Sequence, residues 1–185
     1  MKRSKITILL AIVLGMTFHS CLDLEPQDQL GGKNMWTSVN DYKQFANTFY
    51  SWTRDFSSVV YDGTHSDKRS DLITYQSYNE FSRGINSIPS SDANYTDNYK
   101  HIRRTNLLLQ NAEAYAKPED IKQYIGEAYF FRAYSYFDLL QLYGDVIITK
   151  KPLDITDPEM KVKRNDRSEV VDLIIDDLNH AVENL

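Results

Sequence analysis

The sequence predicts an all-α protein built from antiparallel helix pairs with long irregular loops. Apolar residues recur at three- and four-residue steps in four stretches, near residues 38–53, 94–116, 118–143 and 167–185. The two longest stretches are joined only by the short turn at Lys117-Pro118, so they should pack antiparallel. The stretch 118–143 is apolar around most of its circumference, which requires neighbours on several sides.

The first twenty residues read as a secretory signal. Lys2, Arg3 and Lys5 form a positive start, and an apolar run from Ile6 to Met16 follows. That run is shorter than the roughly 20 residues a membrane-spanning helix needs. Phe18-His19-Ser20-Cys21 then resembles a bacterial lipobox, with Phe where Leu is more usual. Cys21 is the chain's single cysteine, so an internal disulfide is excluded. Its place directly after the apolar run points to lipid attachment.

Cleavage before Cys21 would remove three positive charges and no negative ones, taking the formal charge from −5 to −8. That sign argues against nucleic acid and against an electrostatic hold on anionic lipid. Residues 21–35 hold Pro26, Gly31 and Gly32 among Asp23, Glu25 and Asp28, and read as an extended tether. Residues 36–185 are enough for one domain.

Helix one is expected over 38–53, capped by Thr37 or Ser38, with Tyr42, Phe45, Phe49 and Trp52 on one face. Residues 54–92 lose periodicity and carry Gly63, Gly84 and Pro89. A connection of that length is usually functional or disordered. Helix two starts near Asp92 or Asn94 and ends near Ala116, with Tyr95, Tyr99, Ile102, Asn106 and Leu109 sharing a face. Asn106 reads as a satisfied polar core group.

Helix three is expected over 118–143, with Gly144 as its stop. Arg132, Ser135, Asp138 and Gln141 leave a narrow polar strip on it, and Arg132 is expected to pair with a buried carboxylate or a carbonyl. After Val146-Ile147-Ile148 the chain turns irregular around Pro152 and Pro158. Helix four begins near Asp166, with Glu169 three residues on as a capping partner. Val171, Ile174, Leu178, Ala181 and Leu185 are its expected apolar face; Asp172, Asp176 and Asp177 are expected to face solvent. The sequence stops inside that pattern, and helix three needs more partners than these helices supply. The expectation is therefore a truncated domain whose C-terminal half is missing.

The run Gly126-Glu127-Ala128-Tyr129-Phe130-Phe131-Arg132-Ala133-Tyr134-Ser135-Tyr136-Phe137-Asp138-Leu139-Leu140, followed by Leu142-Tyr143-Gly144-Asp145-Val146, resembles the N-terminal signature of the SusD/RagB family. Tyr99-Lys100-His101-Ile102 leading to Thr105-Asn106, Arg167-Ser168-Glu169-Val170-Val171, and the tether Leu22-Asp23-Leu24-Glu25-Pro26-Gln27 are similar to that family as well. Tyr95 departs from it, since many members carry Trp there. The resemblance implies an outer-membrane, cell-surface lipoprotein on tetratricopeptide-repeat-like helix pairs. It also implies a SusC-like TonB-dependent transporter as partner, with a glycan or, in some members, a peptide as ligand.

The ligand site is expected in the irregular stretch. Tyr61, Tyr75, Tyr78 and Phe81 offer faces on which a sugar ring can stack, and Asp62, Asp67, Asp71, Arg83 and Asn86 can bond hydroxyls. The expected ligand residues are Tyr61, Asp67, Tyr75, Tyr78, Arg83 and Asn86, against the plainer reading that these tyrosines only cover the helices. His101 with Arg103 and Arg104 reads as a solvated helix face. Catalysis finds little support. His65, His101 and His180 are scattered, no P-loop or G-x-S-x-G occurs, and residues 61–71 lack the order of a calcium loop. No cofactor or metal is expected. The leading reading is nutrient capture without turnover; the alternatives are a peptide-binding member of the same scaffold, or a helical adaptor that binds only protein.

Overall fold

A computed structural model describes residues 35–53, 84–85, 87–154 and 156–185. The chain divides into two compact units, Met1–Met35 and Trp36–Leu185, and all the structure described below lies in the second. Its helices are α1 (Val39–Asn47), continued by a 3-10 turn at Thr48–Trp52, then α2 (Ala93–Glu113), α3 (Lys122–Tyr143) and α4 (Arg167–Asn184). Further 3-10 turns sit at Pro118–Ile121, leading into α3, and at Pro158–Lys161. Among the described residues there is no strand, only an antiparallel bridge between Val146 and Asn165. The all-α expectation holds.

The helix ends follow local chemistry. At α1 the Asp41 carboxylate turns back to accept from the backbone N–H groups of Ser38 (2.8 Å) and Thr37 (3.0 Å). Those groups have no partner within the helix. Asp92 caps α2 by accepting from the Asn94 N–H at 2.9 Å, and Glu169 reaches back to the Asp166 N–H at 3.1 Å at the start of α4. Pro118 stands at the first position of the turn into α3, where a missing N–H costs nothing. Gly144 ends α3 with φ +70°.

A Cβ on Gly144 would lie 2.9 Å from the Arg167 guanidinium, and that φ strains any L side chain. Gly144→Ala should cost about 1–2 kcal/mol, most of it from the backbone, since the Arg167 tip can move aside. A lowered urea midpoint at unchanged slope would register it.

The helices pack antiparallel in sequence. Tyr143 at the end of α3 bonds Asp92 at the start of α2, while Arg132 meets Asn106 midway along both. Gly126 lies against the end of α4, Arg132 meets Asp177, and Gly144 meets Arg167 at the start of α4. An added Cβ on Gly126 would stand 3.1 Å from the Asn184 Cβ and 3.2 Å from the Ala181 carbonyl, so α3 and α4 approach closely there. Across α2 and α3 lies α1. Its Tyr42 hydroxyl donates to the Asn111 carbonyl at 3.0 Å, and burial pushes that phenol up to about 12. Arg104 lies over the Phe45 ring, and Trp52 stacks on His101 at 4.1 Å. The expected solvated basic spot is thus divided between packing contacts, with burial lowering both the His101 and the Arg104 pKa.

The main core joins α2, α3 and α4 through Ile102, Tyr136, Leu139, Val146, Val170, Leu173 and Ile174. Phe131 carries a second cluster, with Phe49, Tyr50 and Trp52 at ring separations of 5.1–5.8 Å. Of the polar strip on α3, Arg132, Ser135 and Asp138 are buried and Gln141 is exposed, while the large apolar residues Phe130 and Phe137 are exposed at 40% and 49%. One sequence expectation is corrected here. On α4 the buried face is Val170, Leu173, Ile174, Asp177 and Ala181, so Val171, Leu178 and Leu185 are exposed and Asp177 is fully buried. The cause is one ion pair. Arg132 binds Asp177 through two bonds of 2.8 and 2.6 Å, and meeting it rotates both polar groups inward.

Candidate functional site

Each ligand residue expected from sequence, Tyr61, Asp67, Tyr75, Tyr78, Arg83 and Asn86, lies outside the described residues. So does the lipidation candidate Cys21, with the signal and tether around it. The described residues form a different site, and it begins with the segment after α3.

Residues 146–151 lie outside any helix and cross α2 and α3 as a strap. A lone segment of this kind leaves its backbone N–H and C=O groups without a ladder, and such groups, when buried, need partners. Side chains supply them. The Tyr99 hydroxyl accepts from the Ile147 N–H and donates to the Ile147 carbonyl, both at 2.9 Å. Tyr136 repeats the arrangement two residues on, accepting from the Thr149 N–H at 2.7 Å and donating to its carbonyl at 3.3 Å. The Asn106 amide donates to the carbonyls of Thr149 (2.9 Å) and Lys151 (3.2 Å). Asn165 donates its backbone N–H to the Val146 carbonyl at 2.9 Å, and its side-chain oxygen accepts from the Ile148 N–H at 3.0 Å.

Behind the strap, the Asn106 oxygen accepts from Arg132 at 2.8 Å, and Arg132 continues to Asp177. Burial pulls the Arg132 pKa down, but the Asp177 bonds outweigh it and leave the guanidinium above the usual arginine range. One polar chain therefore crosses α4, α3, α2 and the strap. Both the Asn106 and the Arg132 expectations hold.

Between the strap and the first turns of α2 opens a groove of about 630 Å³. Tyr95, Tyr99 and Ile147 line its base; Leu153 and Met160 form a wall. Tyr95 is held at 4.8 Å from Tyr99 and edge-on to Tyr143 at 5.2 Å. The Tyr143 hydroxyl donates to Asp92 at 2.6 Å, a bond that with the Asn94 N–H holds the Asp92 carboxyl below its ordinary range. The aromatic base is therefore preformed.

Charges on the rim come in pairs. Arg103 donates to the Leu153 carbonyl at 3.1 Å and to Asp154 at 3.2 Å, Lys151 meets Glu159 at 2.6 Å, and Lys100 meets Asp97 at 2.7 Å. All are exposed. Pairs of that kind contribute at most about 1 kcal/mol, so their donors and acceptors can turn to a ligand at little cost. A volume within the usual range for small ligands, an apolar base and polar groups of both signs suit an uncharged amphipathic molecule. Among the described residues no cluster of His, Cys, Asp or Glu could hold a metal, and no helix is long and apolar enough to cross a membrane.

The periodicity of helix two marked Tyr95 and Tyr99 as core-facing, and both are half-buried. Nothing in the sequence marked them as the floor of a groove. Its opposite wall comes from the irregular residues around Leu153 and Met160, which carry no period. The only available signal was an i, i+4 aromatic pair beside Lys100 and Arg103.

Three likenesses to known proteins bear on this geometry. A SusD-like family described as "Starch-binding associating with outer membrane" matches residues 22–185. A SusD-like protein of Formosa agariphila is 28% identical over an alignment of 204 residues, covering 100% of this chain and 38% of the relative. The crystal structure of a SusD-like protein from Bacteroides fragilis superposes with a TM-score of 0.66 at 25% identity, over 86% of this chain and 32% of that one. The chain thus spans well under half the length of either relative.

Proposed function

The chain belongs to the SusD-like family, and from that premise we propose that it captures a glycan at the outer-membrane surface without turning it over. The observation that carries this reading is the preformed aromatic groove, in a chain whose family is described as starch-binding. A sugar ring has apolar C–H faces and a polar hydroxyl edge. Tyr95 and Tyr99 offer stacking surface for the first, and the rim residues Arg103, Lys151, Asp154 and Glu159 offer donors and acceptors for the second. In this reading Tyr61, Asp67, Tyr75, Tyr78, Arg83 and Asn86 also contribute to ligand binding. Cys21 carries the lipid that holds the protein at the cell surface, beside a SusC-like TonB-dependent transporter that receives the cargo.

Affinity electrophoresis in gels containing candidate glycans tests the ligand. Tyr95→Ala should weaken retardation roughly tenfold, about the effect of losing 1.4 kcal/mol. Unchanged mobility would remove the groove from the site, and unchanged retention in a Tyr75→Ala, Tyr78→Ala double variant would remove that pair. Retention of peptide pools instead of glycans would transfer the cargo to peptides. Metabolic labelling with a clickable fatty acid tests the anchor: wild type should be labelled, and Cys21→Ala should not.

A further inference from the structure

The end of α3 and the start of α4 enclose a second concavity, of about 460 Å³. Tyr143, Asp145, Lys163, Arg164, Asp166 and Arg167 line it. Three of these are cations, in a chain whose acids outnumber its bases 26 to 21. On the groove rim, Lys100, Arg103 and Lys151 each have a carboxylate within 3.2 Å. In the second pocket the pattern differs. Among the described residues no ion pair reaches Lys163, Arg164 or Arg167.

The acids close by are engaged instead by N–H and O–H donors of the fold. Asp145 accepts from the Arg167 backbone N–H at 3.0 Å, and Asp92 from the Tyr143 hydroxyl and the Asn94 N–H. Glu169 accepts from the Asp166 N–H and the Asn165 amide, both at 3.1 Å, and Asp166 begins the capping box of α4. The helix end is thus already capped by the chain's own carboxylates, and the uncompensated charge lies on the three side chains. Gly144 gives Arg167 its place, since a Cβ there would stand 2.9 Å from the guanidinium.

This pocket adjoins the groove. Tyr143 lines the pocket, and its ring stands edge-on at 5.2 Å to Tyr95, which lines the groove. Sugar rings stacked on Tyr95 and Tyr99 would pass Tyr143 to reach the three cations. Guanidinium groups bind planar or tetrahedral oxyanions through paired N–H donors, an interaction that a neutral hydroxyl matches poorly. We propose that the pocket is an oxyanion subsite of the groove, in which Lys163, Arg164 and Arg167 hold the carboxylate or sulfate ester of an acidic sugar. The subsite rests on the reading of the groove as a glycan site, and it narrows the cargo from glycans in general to acidic ones.

Affinity electrophoresis of the lipid-free polypeptide tests it, in gels carrying immobilised polygalacturonate or its methyl ester, and dextran sulfate or dextran. Each pair shares a backbone and differs in charge, and the two pairs tell carboxylate from sulfate. At least one charged polymer should retard the protein about tenfold more strongly than its neutral counterpart. Arg164→Gln with Arg167→Gln should abolish that difference. Lys117→Gln with Lys122→Gln, at exposed positions before and at the start of α3, changes the net charge equally and should leave retardation as it was. Equal retardation within both pairs overturns the subsite. So does an equal loss in the two double variants, which would mean diffuse attraction. Neutral polymers retained through Tyr95, with no gain from charge, overturn the subsite alone and leave glycan capture standing. Charged-polymer retention that needs Arg164 and Arg167 but survives Tyr95→Ala overturns the link between pocket and groove.

Discussion

Arg132→Ala should destabilise the fold by about 3–5 kcal/mol, the usual consequence of removing one partner from a buried ion pair. Asp177 is fully buried, and Arg132 donates to both of its carboxylate oxygens. Truncation would strand that carboxylate and deprive the Asn106 oxygen of its donor. Small domains are stable by only about 5–15 kcal/mol, so much of the total would be lost. Arg132→Lys should recover only part, because an ammonium cannot make the forked contact. A paired replacement, Arg132→Met with Asp177→Leu, should recover most of the stability, since well-packed apolar groups often replace a buried pair without loss. Urea denaturation of the four proteins measures the series. A double variant as unstable as Arg132→Ala would show that the site holds its charges for a reason other than mutual neutralisation.

Phe131→Ala should cost about 3–5 kcal/mol through a different mechanism, the cavity left by a buried ring. Phe131 is 1% exposed, and Phe49, Tyr50, Trp52 and Phe130 surround its ring at 5.1–5.8 Å. These contacts seat α1 and its 3-10 continuation on α3. The loss should fall first on α1, so amide protection over residues 39–52 should drop before that over α2 and α4. Phe131→Leu, which refills part of the volume, should cost less than half as much. Equal protection losses in all four helices would mean that α1 is no separate layer.

Helix existence was legible because the apolar periods are long and the caps are local. The Asp166–Glu169 pairing, the Pro118 entry and the Gly144 stop depend on neighbours within four residues. The orientation of polar residues was less legible. Asp177 sits 45 residues from Arg132, and no local rule tells a carboxylate that faces water from one that faces a buried guanidinium. Once Arg132 turns inward, the ring-bearing side chains of Phe130 and Phe137 are carried outward with the same helix. The groove was illegible for a related reason. Its rigidity comes from Tyr99, Tyr136 and Asn106 substituting for a neighbouring strand along residues 147–151, a pairing that only the assembled helices create. Tyr95 and Tyr99 read as core because half of each is core. Glycan chemistry was expected instead in residues 61–86, where the aromatic and acidic side chains cluster without a helical period.

The most direct test of the whole reading is a glycan array probed with the lipid-free polypeptide, with released sugar assayed from every positive spot. The account predicts retention on at least one oligosaccharide, reduced by Tyr95→Ala, with no sugar released. Retention on none, on an array that a known glycan binder labels, would contradict it.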